Sequence, residues 1–265
     1  MYNGALSPRD GNLKAKEAAL RALSLDASSV EALAAAARVH MFIDWNWAEA
    51  ENEYRRAIAL DPGRWRSHGV FGFHYLASMG RFEEAIAEQK RAIELDPGNV
   101  VPIHVLGQIY YWARRYELGR IEFQKALELE PYYAAPHTNL ARVYLQREEY
   151  TDAIREAELY ATLIRREGLS LPLLAAVYIR GGREEEGRTL LKELEVLSRE
   201  SYVSPATMSR TYATVNAPDD AFAWLEEAFE IRDPQLVRLK VDPMWDPIRD
   251  DPRFSELMRG IGLPP

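Results

Sequence analysis

The sequence predicts an all-α fold built from repeated antiparallel helix pairs, and three observations predict it. RAIALDPG at 56–63 returns as RAIELDPG at 91–98, with looser copies RALSLDAS at 21–28 and KALELEPY at 125–132. The acidic residue before each turn falls at Asp26, Asp61, Asp96 and Glu130, a spacing of 35, 35 and 34 residues. A fixed period near that length marks units that bury their apolar faces only against their neighbours. Within one period the apolar residues recur at helical spacing: Ile103, Leu106, Gly107 and Tyr110, then Tyr116, Gly119, Phe123, Ala126 and Leu127. Finally, Pro131 stops the second stripe, because a ring without an amide hydrogen cannot continue a helix.

Taken in order, residues 13–26 read as a second helix without its first, an N-terminal half-repeat or capping helix. Hairpins follow at about 30–62, 65–97, 100–131, 134–165, 168–199 and 202–234, and 235–265 forms a C-terminal cap, so 1–265 is one array. A small residue in each first helix (Ala37, Gly72, Gly107, Ala141, Ala175) lets the partner helix come close. Ala50, Ala85, Ala153 and Ala221, with Gly119 and Gly187, do the same from the other side. The segment FIDWNWAEAE (42–51) is expected to lengthen the first inter-helix turn and absorb its extra residue. Trp47 stands where Tyr116 and Tyr150 stand later, which predicts a core residue rather than a ligand platform shared with Trp45. In IRGGREEEG, Gly181 and Gly182 are expected to supply a positive-φ turn.

The C-terminal words Asp242-Pro243, Asp246-Pro247 and Asp251-Pro252 read as helix starts, since the aspartate oxygen accepts orphan amides and proline needs no donor. Pro252–Gly260 is then a short helix that covers the last repeat with Phe254, Leu257 and Met258. The acidic run Asp242–Asp251 lacks the glycine turn and ligand spacing of a calcium loop, so capping is the expected role.

The formal net charge is −8 and the pI near 5.3, which argues against sequence-blind nucleic-acid binding. There is no cysteine, so disulfides, thiolate metal sites and cysteine nucleophiles are excluded. No apolar run approaches the roughly 18 residues of a membrane span. The opening MYNGALSPRDGN has no apolar signal region. The expected location is cytoplasmic, or periplasmic if the chain belongs to a longer anchored protein. The five histidines, His40, His68, His74, His104 and His137, form no metal-binding pair at i, i+4. His40 is expected to be a buried, hydrogen-bonded imidazole, and His104 and His137 lie on adjacent first helices where they could approach each other. No phosphate loop or nucleophile elbow occurs. The chain is not expected to be an enzyme, nor to need a cofactor or metal.

The stretches LGQIYYWARRYELGRIEFQKALELEP and LARVYLQREEYTDAI resemble tetratricopeptide repeats. That resemblance covers essentially the whole chain and implies a right-handed superhelical solenoid whose first helices line a concave groove. The C-terminal words, with YVSP at 202–205 and WNWAEAE, resemble the repeat region of bacterial multidomain regulators. In that family such arrays follow winged-helix activators, serine/threonine kinases or nucleotide cyclases.

The tetratricopeptide resemblance places Arg38, Met41 and Phe42 in the groove, then Arg66, Phe73 and Leu76. His104, Gln108, Tyr111 and Trp112 follow, then Thr138, Arg142 and Gln146, then Arg180 and Arg210. Five arginines on one face of an acidic chain imply a partner with acidic groups, gripped bidentately. Tyr111 and Trp112 follow the core Tyr110 and are expected to point off the packed stripe as anchors. His104 and Gln108 replace the lysine and asparagine of the family's two-carboxylate clamp, and only Asn139 matches it, so chaperone tails are not the expected ligand. The function expected is a protein-interaction scaffold. A regulatory module of a larger protein and a self-associating homo-oligomer are the alternatives.

Overall fold

The computed structural model describes residues 8–165 and 168–263. The opening residues 1–7 and the last two residues of the predicted cap lie outside them. The described residues form helices and no strands. After α1 (Pro8–Leu25) come six consecutive pairs: α2 (Val30–Val39) with α3 (Trp47–Leu60), α4 (Trp65–Val70) with α5 (Phe82–Leu95), and α6 (Val100–Trp112) with α7 (Tyr116–Leu129). The series continues with α8 (Ala134–Gln146) and α9 (Tyr150–Leu163), α10 (Leu171–Arg180) and α11 (Glu184–Glu200), and α12 (Pro205–Thr214) and α13 (Pro218–Glu230). The helical-hairpin solenoid is the fold class that the period predicts.

Small residues set the closeness of each pair. Ala37, Ala141 and Ala175 on first helices and Ala50, Ala85, Ala153 and Ala221 on second helices are fully buried. A Cβ on Gly107 would stand 2.6 Å from the ring of Phe123, and one on Gly187 would stand 2.6 Å from Ile179.

The turn inside each pair repeats as strictly as the helices. A residue with positive φ occurs at Trp45, Gly80, Arg114, Glu148, Gly182 and Asn216. From Gly80 onward the next amide donates back to the carbonyl five residues earlier, as in Arg115 to Tyr110 (2.9 Å) and Glu149 to Tyr144 (2.9 Å). This closure satisfies the orphan carbonyls at a helix end. In IRGGREEEG only Gly182 takes the positive φ, at 85°; Gly181 is at −89°.

The extra residue of the two longer periods sits in the helix and not in the turn. α2 runs on through a π-helical turn at His40–Asp44, and α4 through another at Phe71–Leu76, where Ala77 donates to Gly72 at 3.0 Å. Widening one turn from i−4 to i−5 bonding takes up one residue without disturbing the hairpin. The 34-residue period has no such turn: α6 is unbroken to Trp112.

The chain after α13 is a strap rather than an end cap alone. It carries 3₁₀ turns at Pro234–Arg238 and Pro243–Ile248 and then α14 (Pro252–Ile261). Leu236, Val237, Leu239, Trp245 and Ile248 are all buried. Asp242 and Asp251 accept the amides of Met244 (3.0 Å) and Arg253 (2.9 Å), the expected capping. Asp246 instead lies inside a 3₁₀ turn and pairs with Arg114 and Arg249.

The strap reaches back to the start of the array. Arg232 donates to the carbonyl of Ile43 (2.6 Å) and Trp47 donates to the carbonyl of Ile261 (3.1 Å), while Trp45 packs on Phe229 at the end of α13. Trp47 is thus half-buried and joins the two ends of the chain.

Candidate interaction surface

The first helices present their side chains to the strap, and this decides which of the sequence-derived site residues are open. Trp112 is 4% exposed and stacks on Phe73, with ring centroids 4.9 Å apart and planes 10° apart. Arg238 of the strap lies over both rings at 5.2 Å. Tyr111 is 1% exposed and packs on Tyr116. The expectation that Tyr111 and Trp112 point outward as anchors is therefore corrected. A residue next to the packed stripe is exposed only if nothing covers the first-helix side, and here the strap does.

Arg210 is buried too. Its Nη1 donates to Asp242 at 3.0 Å, and Nη2 bonds Gln235 and Thr207. Burial works against the Asp242 carboxylate, but Arg210 and Arg142 outweigh it and hold the carboxyl below its usual range. Arg142 reaches Asn139 at 3.5 Å, while its buried Nε has no hydrogen-bond partner among the described residues. Arg180 donates to the Thr214 carbonyl (3.3 Å) and the Tyr150 hydroxyl (3.2 Å). Gln108 and Gln146 are half-buried. Of the five arginines, Arg38 and Arg66 are exposed and have no ion-pair partner among the described residues.

His104 is not a groove residue either. It is buried; Nε2 accepts from the Asn139 amide at 2.7 Å, so Nδ1 carries the hydrogen toward the Tyr133 hydroxyl at 3.3 Å. Burial, with Arg142 adding, lowers its pKa to about 4. His137 turns away to Glu156 at 2.7 Å, so the two imidazoles do not meet. His40 stands 3.5 Å from an Asp44 oxygen, and its Nδ1 makes no hydrogen bond. Among the described residues no group of three metal-ligating side chains forms, and no helix is long and apolar enough to cross a membrane.

Sequence reasoning missed the residues that close the wall. Arg114, at a positive-φ turn, donates to the carbonyls of Trp112 (2.7 Å) and Val241 (2.5 Å) and to both oxygens of Asp246 (2.8 and 3.0 Å). The available signal was the density of apolar residues between Leu236 and Ile248, which fits no helical period yet has to be buried.

Two family models described as tetratricopeptide repeat match the chain, at residues 72–99 and 122–155. Those two stretches are tetratricopeptide repeats. Solved structures of the same fold include a tetratricopeptide repeat protein from Parabacteroides merdae ATCC 43184. It is 13% identical with a TM-score of 0.63, covering 95% of this chain and 92% of that one. The type IV pilus biogenesis factor PilW is 17% identical with a TM-score of 0.61, covering 72% and 88%. The APC/C hetero-tetramer Cut9-Hcn1 is 16% identical with a TM-score of 0.62, covering 96% of this chain and 47% of that one. At these identities the likeness is one of fold. No curated protein matches the sequence. The strap thus covers parts of α6 and α12, and Arg38 on α2 and Arg66 on α4 are the sequence-derived arginines left exposed.

Proposed function

We propose that this chain is a non-enzymatic scaffold that holds an acidic segment of a partner protein against the open end of its inner wall. Arg38 and Arg66 would supply the guanidinium groups. The observation that carries the reading is internal: a first helix, α12, already takes a carboxylate, Asp242 of the strap, on Arg210. A planar guanidinium suits a carboxylate because two N–H groups can point at its two oxygens. Arg38 and Arg66 are exposed and have no ion pair among the described residues, with Arg66 lying over the Trp65 ring; on a chain of net charge −8 this fits an acidic visitor.

The test is fluorescence anisotropy with labelled Glu-rich and Lys-rich peptides against the wild type and the Arg38→Glu/Arg66→Glu double variant. Glu-rich peptides should bind the wild type, weaken as salt rises, and lose at least tenfold in affinity to the double variant. Equal binding of both peptide classes, or no change on charge reversal, would remove this site.

A further inference from the structure

A cavity of about 500 Å³ opens between α1, α2 with its π turn, and the first 3₁₀ turn of the strap. That volume lies within the roughly 300–1,000 Å³ range of small-molecule sites. Ala19, Val39 and Phe42 give its lining a hydrocarbon part, and Arg38, Arg238 and His74 a polar one; the two parts meet where Phe42 packs edge-on to the His74 ring at 5.3 Å.

The Arg238 guanidinium lies over the rings of Phe73 and Trp112 but meets no carboxylate among the described residues. Neither Arg38 nor Arg238 has an ion-pair partner among the described residues. The carboxylates felt by Arg238 are Asp242 and Asp233. Asp242 is engaged by Arg210, and Asp233 accepts from Ser204 (2.5 Å), the Ala206 amide (3.2 Å) and the Gln235 amide (2.9 Å). Burial, with Arg210 and Arg142 nearby, lowers the pKa of Arg238 to about 10. His74 adds a polar orphan: its Nδ1 is buried and makes no hydrogen bond among the described residues. Burial pushes its pKa down to about 3, and Arg238 and Arg38 push in the same direction, so both guanidinium groups act on this ring. A buried donor or acceptor left unpaired is destabilising, and so is a buried guanidinium without a counter-charge. One anion at this place would answer both.

We infer that the cavity binds an amphipathic organic acid, with its carboxylate on Arg38 and Arg238 within reach of the His74 ring and its hydrocarbon body against Ala19, Val39 and Phe42. A bare inorganic anion would leave the apolar wall uncovered, and a neutral hydrocarbon would leave the arginines unpaired. The enclosing walls come from both ends of the chain, so an occupant would also tie α1 to the strap.

The experiment is isothermal titration calorimetry on the full chain with octanoate, 1-octanol and inorganic phosphate. Octanoate should bind with one-to-one stoichiometry and raise the thermal midpoint, and 1-octanol and phosphate should each bind at least tenfold more weakly. Arg38→Gln should weaken octanoate at least tenfold; Arg38 is exposed and has no ion pair among the described residues, so this variant should keep the fold. Arg238→Gln should do the same, provided that its circular dichroism matches the wild type. Octanol binding as tightly as octanoate, phosphate binding without octanoate, or an unchanged affinity in Arg38→Gln would each overturn the assignment. Arg66→Glu separates the two sites: it should weaken acidic peptides and leave octanoate binding as it was.

Discussion

Nη1 of Arg210 stands 3.0 Å from Oδ2 of Asp242, and both side chains are buried, at 8% and 2% exposure. This pair fastens the strap to α12 in a region already rich in positive charge. Removing one partner of a buried pair strands the other, at a cost of about 3–5 kcal/mol. Asp242→Asn should therefore destabilise the chain by roughly that amount, because Arg210 would then face Arg142 and Arg238 without a counter-charge. Urea denaturation provides the measurement. The double variant Arg210→Met/Asp242→Leu should lose much less than the sum of the single losses. Additive losses would mean that the two residues act separately.

Arg114 and Glu148 occupy the same place in successive hairpins, each with φ of 61°. For a side chain other than glycine, that conformation costs about 1–2 kcal/mol, and glycine returns about 0.5–1 kcal/mol of this as extra freedom when unfolded. Glu148 is exposed and has no ion pair among the described residues, so Glu148→Gly should gain up to about 1 kcal/mol. Arg114 also holds the strap through Val241 and Asp246. Arg114→Gly loses bonds to carbonyls worth about 1 kcal/mol each and a half-exposed ion pair worth about 0–1. It should be destabilising overall. Thermal midpoints that move the same way in both variants would contradict this account.

The residues legible in the sequence are those whose burial follows from local spacing. Gly107, Phe123 and Ala126 recur at helical intervals, and their neighbours in space are their neighbours in the period. Tyr111 and Trp112 were illegible for the converse reason. Arg238 covers Trp112, and the Asp242 carboxylate acts on Tyr111; both lie more than a hundred residues away on a strap with no period of its own. The π turns fall between these cases. The 35-residue spacing announces an extra residue, but whether a helix or a turn absorbs it depends on packing that spacing does not encode. An arginine on a predicted inner face likewise carries no mark of whether its carboxylate comes from a partner or from the chain's own Asp242.

His104 sets the sensitivity of the fold to mild acid. Its pKa is about 4 in the folded chain against about 6.5 for a free imidazole. The folded state thus resists protonation that the unfolded state accepts. Its contribution is complete above about pH 6.5 and is lost as the pH falls from there toward 4, at about 1.4 kcal/mol per pH unit. His74, lowered to about 3, adds a slope of the same sign over that window. Asp242 does not confuse the reading, because a depressed carboxyl gives up its contribution only as the pH falls below about 4. Urea denaturation at pH 7, 6 and 5 should show stability falling with acidity, and His104→Gln should remove about half of that slope while keeping a polar partner for Asn139. A slope unaltered in His104→Gln would mean that the imidazole is not buried against Tyr133 and Asn139 in solution.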